Sequence, residues 1–430
     1  MTKKEWLCLV GIFLAWRILL MVVGGVAGKF LPVEAFAGQS FILALDENAG
    51  VVGRQLLSRW WNFDGIHYLK IAADGYVGTG GVQAFFPLWP TILRAASGMS
   101  KMAGWQIGYV LNCFLSFSVV LLFYQYFRLF FGGDKDSARR ALLALLVFPT
   151  SFYLAAGYNE SLFLVLLLVA LIAYRRRKFI WVTIALVLLC ATRIVGIVAV
   201  VALLMAEGWH LFAAQKQKSE KQNVVKSVAK STKKVLNKFL PLLSIAAGTL
   251  GLIAYMIYLH FAVDDALAFW RVQSGFGGGR STDLVLLPQV VWRYGKMLLA
   301  LTASGQLLSW RGWALAQELG VSLIFLGVLA VQLWQFLRQQ VFTHFKKLKV
   351  NSSSTPLPPL ELILFSIGAF LLPTLTGNFS SMPRYVLVCL AVFCAFAGLK
   401  NRPLRYILSI ISALLLILNT ALFIQAYWIA

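Results

Sequence analysis

The sequence predicts an all-α, polytopic membrane protein that forms a single integral membrane domain over residues 1–430. Of the 430 residues, 60% are hydrophobic and only 13% are charged, a balance unlike that of soluble globular domains. Long apolar runs recur along the chain, and most of them can cross roughly 30 Å of hydrocarbon as helices. Lipid is therefore the expected solvent for much of the protein surface.

The apolar runs predict the membrane spans directly. They lie near residues 6–27, 105–127, 141–157, 161–174, 240–261, 313–337, 360–375, 385–399 and 406–428. The first run follows Lys3 and Lys4, but it exceeds the apolar core of a signal peptide and has no clear small-residue cleavage pattern. We therefore expect the first run to be retained as a span.

The basic residues predict which segments face the cytoplasm. Most of the 39 lysines and arginines fall at the N-terminus and at 128–140, 175–178, 210–238, 338–349 and 400–405. Because cytoplasmic loops are enriched in Lys and Arg, this distribution assigns the net charge of +23 to the inner membrane surface rather than to nucleic acid binding. Parity then requires 179–209 to cross twice, with a break near Thr192 and Arg193. This gives about eleven spans, the N-terminus inside and the C-terminus outside.

Several polar segments lie between the spans. We expect two long outer loops, 28–104 with juxtamembrane helices and 262–312, in which 284–303 lies along or dips into the outer surface. The segment 213–238 is rich in Lys, Gln and Ser, and we interpret it as a basic cytoplasmic insert, most simply a solvated helix beside anionic headgroups. The outer loops are where water-soluble or headgroup partners could reach a site.

The cysteines and histidines do not predict a metal centre. Five cysteines without CxxC spacing and four scattered histidines indicate neither a disulfide framework nor a zinc site. The glycine-rich segment 275–279 follows no predicted strand, so a nucleotide-binding loop is not indicated either. We expect the protein to use no metal and no cofactor.

The first candidate for chemistry is Asp64, in the first outer loop. Asn62 can cap a short helix and place Asp64 in its first turn, where the helix dipole favours an ionised carboxylate. His67, three residues on, lies on the same helix face, next to that carboxylate. The pattern predicts a general base at neutral pH. The alternative is an ordinary first-turn acid with a neighbouring imidazole on an interfacial helix.

Two outer segments have simpler structural interpretations. The aromatic run 84–90 contains two prolines and fits a chain that turns back into the membrane interface, where it would act as an aromatic belt anchor. The segment 158–161 can cap the span that follows it, although Glu160 faces the same compartment as Asp64. Neither segment alone indicates a reaction.

Four arginines are candidates for anion binding. Arg193 lies between two short apolar crossings, where it needs a partner, and either a structural ion pair or an anion site would provide one. Arg384, beside Tyr385 at the mouth of a span, could bind a phosphate in a forked geometry or extend to the surface as a snorkelling side chain. Arg271 and Arg280 belong to the glycine-rich outer loop, which could be a lid or a plain connector.

Taken together, these segments resemble the PIG-V family of mannosyltransferases, including its prokaryotic relatives, within the GT-C membrane glycosyltransferases. The resemblance rests on residues 64–69, 74–76, 84–90, 158–161, 191–193 and 381–385, in that order. The family usually has its acid directly after a tryptophan. Here Asn62 and Phe63 separate Asp64 from Trp61, so the assignment of Asp64 as the aligned acid includes that offset.

The resemblance implies a GT-C-like fold and inverting transfer of mannose, or a similar hexose, from a polyprenyl- or dolichyl-phosphate donor to an acceptor hydroxyl. Asp64 would be the base, with His67 as a second catalytic residue. The residues implied in binding the donor phosphate or substrate are Arg384, Arg193, Arg271, Arg280, Glu160 and Tyr385. The expected partners are the bilayer, the lipid-phosphate mannose and an acceptor glycolipid, glycan or protein. The expected site is the outer or lumenal face, in a prokaryotic plasma membrane.

Two other function classes remain open at this stage. A transporter or flippase of a lipid-linked sugar would also use intramembrane arginines, and it predicts related halves and a midplane site, neither of which is visible in the sequence. A catalytically silent scaffold subunit is the second alternative. Its activity would depend on a co-purified partner.

Overall fold

The computed structural model describes residues 2–34, 57–76, 81–100, 102, 104–130, 134–221, 231–276, 281, 283–345 and 357–429. Arg280, much of the first outer loop and the centre of the basic insert lie outside the described residues. Within the described ranges the regular secondary structure is entirely helical. The predicted all-α class is therefore confirmed.

Seventeen α-helices are found among the described residues. In chain order the described ones are α1 (Lys3–Phe30), α2 (Asp64–Asp74), α3 (Leu88–Gly98), α4 (Gly104–Phe130), α5 (Lys135–Leu146), α6 (Glu160–Arg175), α7 (Phe179–Cys190), α8 (Gly196–Lys221), α9 (Ser231–Ala246), α10 (Leu250–Val263), α11 (Ala268–Arg271), α12 (Leu287–Ala303), α13 (Trp310–Phe345), α14 (Leu360–Thr374), α15 (Met382–Tyr385), α16 (Leu390–Ala397) and α17 (Arg402–Ile424). The break predicted near Arg193 is present, between the end of α7 and the start of α8.

The helix lengths establish a polytopic membrane protein. Six described segments are long and apolar enough to cross a membrane: Lys3–Phe30, Gly104–Leu129, Gly196–Ala213, Phe239–Val263, Trp310–Gln339 and Arg402–Ile424. Phe179–Cys190 and Leu360–Thr374 are shorter apolar helices. The predicted count of about eleven spans is thus not reached by length and composition, because several predicted runs form short or divided helices.

The helices pack around a main hydrophobic core, in which α6 contacts α4 and α7, α8 contacts α14, and α1 contacts α17. A second core lies beneath α2 and α3 and contains the aromatic run that we interpreted as a belt anchor. Phe85, Phe86 and Trp89 are 7%, 3% and 0% exposed, and Phe86 packs on Tyr255 and Phe269 with ring centroids 4.9 and 5.5 Å apart. The belt-anchor interpretation is therefore wrong, because these rings are buried inside the protein and Phe86 packs on residues that are distant in the sequence.

The segment before α2 is fixed by Trp61, which is 0% exposed. Its ring occupies the space beside Gly157, where a Cβ atom would overlap the indole. The N–H of Gly157 also donates to the carbonyl of Trp60 at 2.8 Å. This close approach of two backbones brings the start of α2 next to the start of α6.

The second long loop contains α12, in the part that we expected to lie along or dip into the surface. Tyr294 is 3% exposed and the helix packs against α13. Arg293, a basic residue in the middle of this helix, donates to the carbonyl of Gly377 at 2.8 Å. Its side chain is therefore bonded within the protein. The helix thereby supports the loop that precedes α15.

Candidate functional site

Asp64 begins α2, as the sequence predicts, but Asn62 does not cap the helix. Phe63 precedes the helix with a φ of 58°, a conformation that non-glycine residues rarely adopt. The N–H of Asp64 donates to the hydroxyl of Tyr158 at 3.2 Å, and that hydroxyl donates to the carbonyl of Asn62 at 2.8 Å. The side chain of Asn62 instead donates to the carbonyl of Phe423 at 2.9 Å, which fixes the loop to the end of α17.

Glu160 begins α6 and is fully buried, with 0% exposure. It accepts a hydrogen bond from Arg193 at 2.7 Å. The predicted cap at this helix is wrong, because Asn159 makes no side-chain capping bond. Its amide donates to the carbonyl of Thr192 at 2.8 Å, which holds the start of α6 against the break that carries Arg193.

Arg384 connects the two carboxylates. Its Nη1 lies 2.5 Å from Asp64 Oδ2 and its Nε lies 2.6 Å from Glu160 Oε1. The guanidinium also lies over the rings of Tyr158 and Tyr153, at 4.8 and 5.3 Å from their centroids. Because its side chain is only 5% exposed, the snorkelling alternative is wrong. Asp64, Arg384, Glu160 and Arg193 thus form one continuous network of ion pairs, named the ion network below.

A second buried carboxylate, Glu318 on α13, supports the loop that carries Arg384. Ser381, at the start of α15, has a φ of 65°, and its N–H donates to Glu318 at 3.0 Å. The hydroxyl of Tyr294 donates to the other oxygen of Glu318 at 2.7 Å. Non-glycine residues in such conformations cost about 1–3 kcal/mol and cluster at functional sites. Sequence reasoning missed Glu318, although a carboxylate within the apolar run 313–337 is a signal in itself.

A cavity of about 300 Å³ opens beside the ion network. Asp64, Arg193 and Arg384 supply its charged wall. Its aromatic walls are formed by Tyr68, Phe85, Phe86, Phe269, Trp270, Tyr385 and Trp428. Asn159, Thr192, Gln273, Asn378, Ser380 and Ser381 add polar groups. The volume is at the lower end of the range for small-molecule sites, and the combination of rings with polar groups suits a sugar-sized ligand.

Of three other predicted site residues, Tyr385 lines this cavity, and His67 and Arg271 do not. Tyr385 lines it and lies under the guanidinium of Arg193, with 5.4 Å to the ring centroid. His67 does not line it but stacks on Phe85 at 4.7 Å. Burial lowers the pKa of His67, although the Asp64 carboxylate opposes this shift. Arg271 is 67% exposed and pairs with Asp265 at 3.0 Å, so it points away from the charged wall.

The ion network can bind an anion through its arginines and can offer the Asp64 carboxylate as a base to a ligand in the cavity. Arginines present a planar fork of donors that matches phosphate oxygens, and Arg193 and Arg384 both reach the cavity wall. Asp64 is 20% exposed, so it can meet a ligand, whereas Glu160 lies behind the arginines. Removing such a cluster of charges from most of its water is costly unless each charge is paired, which is why such clusters are candidates for function.

The chain matches the model of one known protein family. The family model described as Mannosyltransferase (PIG-V) matches residues 40–264, more than half of the 430 residues. The match includes Asp64, Glu160 and Arg193 and ends before Arg384. No curated protein and no solved structure matches the chain. The chain therefore belongs to the PIG-V family of mannosyltransferases.

Proposed function

We propose that the protein is an inverting glycosyltransferase that moves mannose, or a similar hexose, from a polyprenyl- or dolichyl-phosphate donor to an acceptor hydroxyl. The observation that supports it best is the ion network on the wall of a cavity with aromatic sides. Family membership supports glycosyl transfer. The donor, the inversion and the membrane face belong to the proposal.

Asp64 is the proposed general base. It accepts the proton of the acceptor hydroxyl as that oxygen attacks the anomeric carbon, and the bond from that carbon to the phosphate oxygen breaks on the opposite side. The lipid phosphate leaves with the bonding electron pair and is already a stable anion, so no second carboxyl has to protonate it, unlike in a glycosidase. A single positioned base is sufficient, and such bases contribute about 10² to 10⁴-fold.

Arg384 and Arg193 are proposed to hold the donor phosphate. Both guanidiniums bond to carboxylates in this structure, and a phosphate on the cavity side offers them oxygens of the same geometry. Engagement of Arg384 by the phosphate would weaken its bond to Asp64 Oδ2, which leaves that oxygen able to accept the acceptor proton. Donor binding would thereby prepare the base.

The proposed membrane arrangement places this cavity at the outer or lumenal face. It includes about eleven spans, in which α6, α7, α14 and the segments 141–157 and 385–399 are shorter crossings beside the six long segments. The distribution of Lys and Arg supports this orientation. We include no metal or cofactor in the reaction, because the two arginines can stabilise the negative charge that develops on the departing phosphate.

The decisive variant is Asp64→Asn, which keeps the shape of the side chain and removes its basicity. Purified protein would be supplied with polyprenyl-phosphate mannose and an acceptor, and sugar transfer measured together with thermal unfolding. We expect transfer to fall about 10² to 10⁴-fold with folding preserved. Undiminished transfer would contradict the assignment of the base.

The matched control is Asp74→Asn, at the exposed end of the same helix. Because this carboxylate lines neither described cavity, transfer should equal that of the wild type.

The purified wild-type protein in proteoliposomes distinguishes the other function classes. Movement of a lipid-linked sugar across the bilayer without transfer would favour a transporter, and activity that requires a co-purified partner would favour a scaffold.

A further inference from the structure

A second cavity, of about 430 Å³, lies far from the ion network. Four basic side chains line it: Arg140 of α5, Lys400, and Arg402 and Arg405 of α17. Among the described residues that line it there is no carboxylate, although Asp134 lies 3.6 Å from Arg140. We name it the basic cavity.

The basic cavity lies at the opposite end of the helix bundle from the ion network. Helix α17 spans 23 residues from Arg402 to Ile424, which corresponds to a length of about 33 Å at the rise of an α-helix. Asn62 bonds to the far end of that helix, at Phe423. The basic cavity and the ion network are therefore separated by about one membrane thickness.

Internal hydrogen bonds hold Arg140 and Arg405 in place. Arg140 donates to the carbonyl of Ala397 at 3.3 Å and to Ser137 at 2.6 Å. Arg405 donates to the carbonyl of Leu399 at 2.6 Å. A guanidinium has five N–H donors, so these contacts leave each group with capacity for an anion. Binding two charge-assisted donors that are already oriented costs little conformational entropy.

The surroundings of the basic cavity favour a lipid anion over a soluble one. Its walls include Phe127, Cys394 and Tyr406 beside the cations. From the cavity, α17 continues as an exposed apolar face through Ile407, Ile410 and Leu414, which are 54%, 59% and 60% exposed. In a membrane that face contacts acyl chains, so a headgroup at the start of α17 would have its chains beside the helix. Basic pockets at the ends of membrane helices are suited to anionic headgroups.

We propose that the basic cavity binds the phosphate ester headgroup of an anionic phospholipid. The site would anchor the bundle at the membrane surface opposite the ion network. It does not depend on the proposed sugar transfer, since none of its residues lies in the ion network. Soluble metabolites also carry a phosphate ester, so the test compares a lipid with a soluble phosphate ester.

The test is native mass spectrometry of the purified full-length protein titrated with phosphatidylglycerol, phosphatidylcholine or soluble glycerol phosphate. We expect phosphatidylglycerol to bind in preference to phosphatidylcholine, and glycerol phosphate to bind far more weakly. Equal binding of both lipids would overturn the proposal. Glycerol phosphate that binds as tightly as the lipid would overturn the assignment to a lipid.

The informative variant is Lys400→Gln combined with Arg402→Gln, which spares the two arginines that hold backbone carbonyls. At about 1 kcal/mol for each basic residue near an anionic group, affinity for phosphatidylglycerol should fall roughly 30-fold. The matched control is Arg139→Gln, because Arg139 is on α5, pairs with Asp136 and does not line the cavity. Wild-type affinity in the double variant, or the same loss in the control, would contradict the proposal.

Discussion

A fully buried glutamate bound by arginine lies near each end of α6, Glu160 at its start and Glu207 of α8 beyond its end, and the surroundings of the two differ. At the start of the helix, Glu160 accepts from Arg193 and Arg384, which are 12% and 5% exposed and reach a cavity wall. Beyond its end, Arg177 clamps Glu207 through two bonds of 2.6 and 2.8 Å. Arg177 is 53% exposed, and neither member of this pair lines a described cavity.

Exposure of the arginine and proximity to a cavity distinguish a structural ion pair from a candidate site. An exposed arginine on a buried glutamate is hydrated on one side, so the pair can act as a latch between α6 and α8 at modest cost. The two arginines on Glu160, of which Arg384 is buried and Arg193 is 12% exposed, give up far more hydration. Their position beside a cavity gives a reason for that cost, because a ligand anion can share them.

We expect the largest loss of stability and of sugar transfer in Glu160→Gln, and Glu207→Gln is its matched control. Removing the charge of Glu160 leaves Arg193 and Arg384 buried with one carboxylate, and breaking a buried pair costs about 3–5 kcal/mol. We expect thermal or denaturant unfolding to show this loss, with sugar transfer abolished. Glu207→Gln should destabilise less, because water still solvates Arg177, and its folded fraction should transfer at the wild-type rate. Equal effects would remove the distinction between the two ends of α6.

The next effect is expected for Arg384→Gln, compared with Arg177→Gln. Loss of one donor to developing charge typically lowers kcat about 10² to 10³-fold, and we expect transfer by Arg384→Gln to fall in that range with a raised KM for the donor. Arg177→Gln should leave both constants unchanged. A donor KM and kcat unaffected by Arg384→Gln would show that the arginine is only structural.

A smaller effect is expected for Glu318→Gln, which tests a positioning role. The neutral amide weakens the bonds that hold Ser381 and Tyr294, and hydrogen bonds to charged groups are worth about 1.5–3 kcal/mol. We expect roughly tenfold weaker transfer, seen mainly as a raised donor KM with an unchanged pH profile. The control is Gln332→Met on the same helix, whose amide bonds to Ala391. Loss in the control as large as in Glu318→Gln would indicate general destabilisation.

The smallest effect on activity is expected for His67→Phe. The His67 ring stacks on Phe85 and is not among the residues that line the cavity. We therefore expect transfer to remain near wild type, whereas loss of a catalytic acid or base lowers it by about 10²-fold or more. Burial lowers the pKa of His67, so its neutral form contributes stability that is full above the ordinary histidine pKa and declines as pH falls. His67→Phe should remove that acid-side decline in unfolding measurements. A large loss of transfer would restore His67 as a catalytic residue.

Local sequence patterns predicted the features that depend on neighbouring residues. Apolar runs gave the helical class, and the isolated Arg193 gave the break between α7 and α8. Asp64 lies in a first helical turn as its surroundings indicated. The ion-pair interpretation of Arg193 is confirmed by Glu160.

The features that could not be predicted depend on distant partners. Asn62 looked like a helix cap, but its amide bonds to Phe423, 361 residues away. The aromatic run 84–90 looked like a membrane anchor, but Tyr255 and Phe269 bury it. The role of Glu318 depends on Ser381, 63 residues later. No local propensity encodes such pairings.

A structure of the protein with a polyprenyl phosphate bound would test whether the ion network binds a lipid phosphate and thereby prepares Asp64 as the base. We predict phosphate oxygens within hydrogen-bond distance of Arg384 and Arg193. We also predict that the distance from Arg384 Nη1 to Asp64 Oδ2 lengthens from 2.5 Å. A phosphate bound elsewhere, with the Arg384–Asp64 contact intact, would contradict the account.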